Sequence, residues 1–160
     1  MDRIDKIIKH KSFIKSFKQI QKAEKNRIFC GHDMVHFMDV ARIAMILNLE
    51  EGIGIAKDII YATALLHDIG RSVEYEKGIP HEQASVPIAK VILTESSFDK
   101  DEIEVIIEAI LNHRNKSVAK EHNLSSIIYR ADKCARACFG CVVEQECNWD
   151  KKKKNLKITY

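Results

Sequence analysis

Residues 55–66, IAKDIIYATALL, constrain this chain more than any other stretch. The run is apolar over most of its length and stops at His67-Asp68, just before Ile69-Gly70. It is longer than an ordinary strand and well short of the roughly 18 uninterrupted apolar residues a membrane span needs. It therefore reads as a helix buried on nearly all sides, the central element of a core. On a helix His67 and Asp68 project about 100° apart, so they do not form a simple paired face. Either they are incidental polar residues at a helix end, or they converge with residues from elsewhere on something the helix presents.

Around this element apolar residues recur at helical spacing. Ile4, Ile7, Ile8, Ile14, Phe17 and Ile20 predict one opening amphipathic helix, with Lys6, Lys9, Lys15 and Lys18 on its wet side. Residues 26–33 read as a loop. Val35, Val40, Ile43, Ala44 and Leu47 predict a second helix ending near Asn48, and Gly52 and Gly54 punctuate the turn into the central one. Residues 70–78 read as a loop. Pro80 is placed to open a fourth helix reaching about Leu93, and Pro87 inside it predicts a kink or a late start. Ser96-Ser97-Phe98-Asp99 offers N-caps for a fifth helix over 101–112, whose stripe is Ile103, Ile106, Ile107 and Ile110. A sixth spans 125–137. The rest is Cys-rich, then Lys-rich, and ends in a short extended segment over 156–160.

Only 2 prolines and 6 glycines leave too few turn residues for an all-β fold. The expected fold class is all-α: one compact domain over residues 1–160, a bundle of about six helices with an irregular tail from residue 137. A formal charge of +3 is too small to imply a nucleic acid polymer as partner. The tract Lys151-Lys152-Lys153-Lys154 reads as a solvated surface turn. The start of the chain, MDRIDKIIKHKSF, carries charges throughout and has no secretory signal pattern. The expected setting is cytoplasmic, without a membrane, and the 5 cysteines are then thiols or ligands rather than disulfides.

Among the 7 histidines, His10 and His122 lie in polar, lysine-rich surroundings and read as surface residues. The others sit at or beside predicted helix ends. His36 opens the second helix on the face of Val40, Ile43 and Leu47; His67 closes the third, His81 follows Pro80, and His113 closes the fifth on the stripe of Ile106 and Ile110. Asp132 lies in the sixth helix among Ile128, Ala131 and Ala135, where a buried carboxylate needs a partner. Any one of these has a bland explanation. Together, several helices each deliver a ligand-type residue from a core-facing stripe, which suits a metal held in a bundle core. Mixed imidazole and carboxylate donors fit a divalent transition ion such as Mn²⁺, Fe²⁺, Co²⁺, Ni²⁺ or Zn²⁺, with Mg²⁺ also admissible. Such a set leaves coordination positions open, as a catalytic site requires.

His36, then His67-Asp68 in LLHDIGR, then Asp132 in YRADK resemble the spaced H…HD…D signature of the HD superfamily of metal-dependent phosphohydrolases, over residues 31–136. The resemblance implies an HD-type helical bundle with His36, His67, Asp68 and Asp132 as the metal ligands. GHDMVH at 31–36 is similar to the opening of small bacterial HD hydrolases, in which the second histidine is the ligand. By that likeness His36 rather than His32 holds the metal, and Asp33 caps the helix starting at Met34. His81, with Glu82 beside it, and His113 in EAILNHR look like positions where HD proteins carry extra histidines. These bind a second ion in two-metal members, and contact phosphate or protonate the leaving group in one-metal members. The chain departs from the HD-GYP enzymes, having Asn112-His113 where they carry two adjacent histidines.

The implied function is hydrolysis of a small phosphate ester or anhydride, a nucleotide above all, by attack of a metal-activated water. Asp68, His81, Glu82 and His113 are the expected catalytic residues. Arg71, Lys133 and Arg114 follow ligand-bearing positions closely and are the expected cations for the phosphate. Cys134, Cys138, Cys141 and Cys147 crowd one short stretch, and Cys30 precedes the GHD loop. The spacing is ligand-like. Cys30, Cys138, Cys141 and Cys147, or Cys134 in place of one of them, are the expected ligands of a structural Zn²⁺ or an iron–sulfur cluster. Two other function classes fit: a non-catalytic HD sensor of a nucleotide or metal, and a redox-responsive protein built on the cysteines. A homodimer is left open.

Overall fold

In a computed structural model describing residues 1–160, the chain forms eight α-helices, four 3-10 turns and no strand. The all-α expectation holds. The helices are α1 (Asp2–Lys9), α2 (Lys11–Ala23), α3 (Met34–Glu50), α4 (Lys57–Leu66), α5 (Arg71–Lys77), α6 (His81–Glu95), α7 (Lys100–Asn112) and α8 (Leu124–Cys134). Helix α4 is the central element: it packs against α1, α3, α6, α7 and α8, and its residues from Ile59 to Leu66 are buried apart from Tyr61. Its one polar interior side chain, Thr63, is satisfied by donating to the Ile59 carbonyl at 2.8 Å. Helices α3, α7 and α8 close around it, with α3 against α8 and α6 against α7. No helix is long and apolar enough to cross a membrane.

Local chemistry sets the ends of the ligand-bearing helices. Asp33 accepts the His36 amide at 2.8 Å and opens α3, as expected. Asp99 and Glu102 form a reciprocal capping box at α7, and Asn123 caps α8 through the Ser126 amide at 3.0 Å.

Some elements differ from the sequence reading. The single opening helix is two, broken at His10, whose extended backbone (ψ 135) lets its side chain accept the Ser12 amide at 3.1 Å. The break lets Ile4 and Ile7 on α1 and Phe13 and Ile20 on α2 all reach the core. Residues 71–77, expected as loop, form α5, which buries none of its residues and so leaves no apolar period to read. It ends on Gly78 in the left-handed conformation (φ 70), the usual helix stop. Residues 156–160 belong to no helix and pair with no strand. The tail before them makes 3-10 turns at Cys138–Gly140, Glu144–Glu146 and Lys151–Lys153. Pro87 sits inside a continuous α6 rather than at its start.

Candidate metal centre

The ends of α3, α4 and α8 meet at one buried point. His36 comes from the first turn of α3, His67 and Asp68 from the stop of α4, and Asp132 from the last turns of α8. Their ligand atoms all lie within 4.8 Å of one another. His67 Nε2 stands 3.2 Å from Asp68 Oδ2 and 3.8 Å from Asp132 Oδ1. His36 Nε2 stands 3.4 Å from Asp132 Oδ1 and 3.7 Å from Asp68 Oδ2. Donors about 2.1 Å from one ion are separated by roughly 3.0 Å at neighbouring octahedral vertices and 3.4 Å at tetrahedral ones. The four donors are spaced to suit one cation. His67 Nε2 and Asp132 Oδ1 are buried with no hydrogen-bond partner, which a ligand to that ion would cure.

Electrostatics point the same way. Burial disfavours the charged form of His67, but Asp68 and Asp132 outweigh it and hold its pKa up at about 9. Burial likewise opposes the ionised carboxyls, yet His67 and its neighbouring imidazoles keep Asp68 well below the usual range. His36 and His67 do the same for Asp132. Two buried carboxylates held ionised favour positive charge beside them; Arg71 on Asp68, Lys133 on Asp132 and a proton on His67 supply part of it, and a divalent cation among the donors would add to it.

Asp68 has a second face. Its Oδ1 lies 3.0 Å from His81 Nε2 and 3.6 Å from His113 Nε2, and the two imidazole nitrogens are 3.0 Å apart. His113 Nδ1 meets the Ile110 carbonyl at 2.6 Å, and His81 Nδ1 meets Glu74 Oε2 at 2.8 Å. Carbonyl and carboxylate oxygens only accept, so each Nδ1 carries the proton and each Nε2 presents a lone pair. Two lone pairs 3.0 Å apart beside a carboxylate need a proton or a cation between them. Burial lowers the pKa of His113, which favours the neutral, ligating form. The same orientation holds for His67, whose Nδ1 donates to the Ala64 carbonyl at 2.6 Å.

The remaining expected residues gather here with varied freedom. Arg71 Nε donates to Asp68 Oδ1 at 3.0 Å, and Lys133 Nζ to Asp132 Oδ2 at 2.5 Å. Arg114 is about half exposed and reaches Glu82 at 3.3 Å. Glu82 stands 3.7 Å from His81 Nδ1, within ion-pair reach, while Glu74 takes the hydrogen bond. Four contributors escaped the sequence reading. Glu74 lies on the unforeseen α5. Arg136 is buried, 3.6 Å from Asp132 Oδ1 one helical turn along, a spacing that would have revealed it. His32, set aside above, is buried with Nε2 3.6 Å from Asp68 Oδ2 and Nδ1 on Glu24 at 2.5 Å. Nothing in the sequence marks Glu24.

The cysteines behave otherwise. All five are free, with Cys30 exposed, Cys138 buried and Cys134, Cys141 and Cys147 between. The only groups of three or more ligand atoms within 4.8 Å are the two that share Asp68, so the expected set of Cys30, Cys138, Cys141 and Cys147 is not assembled, nor is one that includes Cys134. Cys134 lies on α8, and burial pushes its thiol up. His10 is also less peripheral than expected, capping α2 and pairing with Glu95 at 2.9 Å.

Comparison with known proteins adds to this geometry. The HD domain family model matches residues 34–137. An uncharacterized protein of Clostridium beijerinckii is 49% identical over 160 residues, covering 100% of both chains. Ribonuclease Y of Mesoplasma florum is 35% identical over 99 residues, which are 62% of this chain but 18% of that protein. No solved structure matches the chain. The matched span contains His36, His67-Asp68 and Asp132, which the fold gathers at one buried point: the chain belongs to the HD domain family, a superfamily of metal-dependent phosphohydrolases.

Proposed function

We propose that the chain is a metal-dependent hydrolase of a small phosphate ester or anhydride, a nucleotide above all, with residues 31–136 as its working core. The observation that carries this reading is Asp68, a buried carboxylate with each oxygen faced by imidazole nitrogens, set behind His81, His113 and Asp132, which line a cavity rich in basic residues. His36, His67, Asp68 and Asp132 would hold a divalent transition cation, which would supply Lewis acidity and make water ionisable near neutral pH.

The chain's own residues do the rest. Asp68 Oδ2 belongs to the first set, while its Oδ1, with His81 and His113, forms a place for a second cation. Glu74 fixes the His81 ring and the Ile110 carbonyl fixes the His113 ring, so neither needs to reorganise when substrate binds. Arg71, Lys133 and Arg136 stand where charge grows on the non-bridging phosphate oxygens. Burial of the four histidines and two carboxylates keeps bulk water out and strengthens each of these interactions. The five free thiols support a reducing, cytoplasmic setting.

Purified protein supplied with Mn²⁺ or Co²⁺ tests the reading on p-nitrophenyl phosphate, its diester, nucleoside mono- and triphosphates and a short oligoribonucleotide. Asp68→Ala should lower the rate by about 10³-fold or more, because several kcal/mol of charge stabilisation leave with the ligand. Far-UV circular dichroism should stay unchanged. Full activity in the variant sinks the assignment, and metal analysis of the active protein reads one ion against two.

A further inference from the structure

The tail beyond residue 137 lies outside the span matched by the family, yet the fold brings it back over the metal centre. Asn155 Nδ2 donates to the carbonyls of Lys133 at 2.6 Å and Arg136 at 2.9 Å, satisfying groups that the end of α8 leaves open. Lys154 Nζ holds the Glu144 carbonyl at 2.6 Å and its carboxylate at 2.8 Å. So pinned, Asn148, Trp149, Asp150, Lys152 and Lys153 border the same cavity as the centre. His81, His113 and Asp132 line its buried side; Trp149, Lys152 and Lys153 line its exposed side. The cavity measures about 1080 Å³, at the upper end of the roughly 300–1,000 Å³ of small-molecule sites.

Eight of its 20 lining residues are Lys or Arg and three are Asp or Glu. The inner cations are already engaged, Arg71 with Asp68, Lys133 with Asp132 and Arg130 with Glu51. Lys116, Lys152 and Lys153 pair with no carboxylate, and the one acid beside them, Asp150, is used in accepting the Lys152 amide at 2.8 Å. These free charges lie beyond what one phosphate at the metal centre can use. Trp149 adds a flat aromatic surface, 38% exposed, at the same rim.

We infer that residues 148–153 are the recognition wall for the part of the substrate remote from the scissile phosphate, and that this substrate is a nucleoside polyphosphate. Trp149 stacks on the base, and Lys116, Lys152 and Lys153 neutralise the phosphates that the His/Asp centre does not hold. The inference rests on the phosphohydrolase reading and assigns that site its substrate class and its selecting residues.

Trp149 is the only tryptophan, so its fluorescence reports this wall alone. Titration of the Mn²⁺-loaded protein with a non-hydrolysable ATP analogue should change the emission saturably, and inorganic phosphate should not. The exposed pair Lys152→Gln/Lys153→Gln, which leaves the reporter in place, should weaken that binding about tenfold and reduce its salt dependence. A silent Trp149, an unweakened double variant, or a tighter response to a short oligoribonucleotide overturns the inference. Hydrolysis of p-nitrophenyl phosphate separates the two readings. Turnover with a silent Trp149 refutes the wall and leaves the phosphohydrolase; a saturable, lysine-dependent response without turnover of any ester does the reverse.

Discussion

A neutral imidazole offers one lone pair, so the atom that meets its other nitrogen decides what it can do. The sequence discloses His36, His67, His81 and His113 because each ends or begins an apolar stripe. It does not disclose what holds their rings, since the Ala64 and Ile110 carbonyls are backbone atoms and Glu74 lies on a helix with no apolar signature. His32 is harder still: its position depends on Glu24, which also accepts from Tyr75. Burial alone would raise the Glu24 pKa, but His32 and Tyr75 donate to it and hold it at about 2, below its ordinary 4.5. Because the folded value is depressed, the stabilisation is complete above pH 4.5 and is lost as pH falls from there towards about 2. Glu24→Gln should therefore cost on the order of 1–2 kcal/mol at neutral pH, after allowing for solvent screening. Its stability should also vary less than the wild type's between about pH 5 and pH 3. Urea denaturation at the two pH values checks this, and equal slopes would show that another group carries the acid sensitivity.

At the scale of elements, the turn after α4 matters most. Gly70 has an ordinary backbone conformation and is a glycine for want of room: an added Cβ would lie 2.4 Å from the Ser85 amide nitrogen and 2.7 Å from the His81 carbonyl oxygen. Ser85 Oγ locks the same junction, accepting the Gly70 amide at 2.9 Å and donating to the His67 carbonyl at 3.0 Å. Gly70→Ala should destabilise the fold by about 1–3 kcal/mol, as overpacking does, and shift the start of α6 that carries His81. Thermal denaturation reads the first effect; an unchanged midpoint would mean the turn yields freely. Helices with an apolar stripe and a side-chain cap, such as α3 and α7, were legible from sequence. The division at His10 and helix α5 were not, because polar contacts made only in the folded chain place them: Arg71 with Asp68, Glu74 with His81.

For the whole molecule, the centre draws its donors from α3, the turn after α4, the start of α6, the end of α7, and α8. An ion that binds only the folded chain joins all of them. At a hundred times its Kd it stabilises by about 2.7 kcal/mol, which for a chain of this size raises the Tm by about 5–11 °C. A thermal scan with Mn²⁺ and then excess chelator should show the rise and its reversal, and a midpoint indifferent to both would mean the donors hold no ion. Asn155 gives this arrangement a mechanical consequence. Its two hydrogen bonds end on Lys133 and Arg136, residues that bracket the turn following Asp132. The tail and the turn that carries Asp132 thus share one strut, so Asn155→Ala should loosen both, and a loss of metal affinity in that variant is the measurement that shows the two are joined.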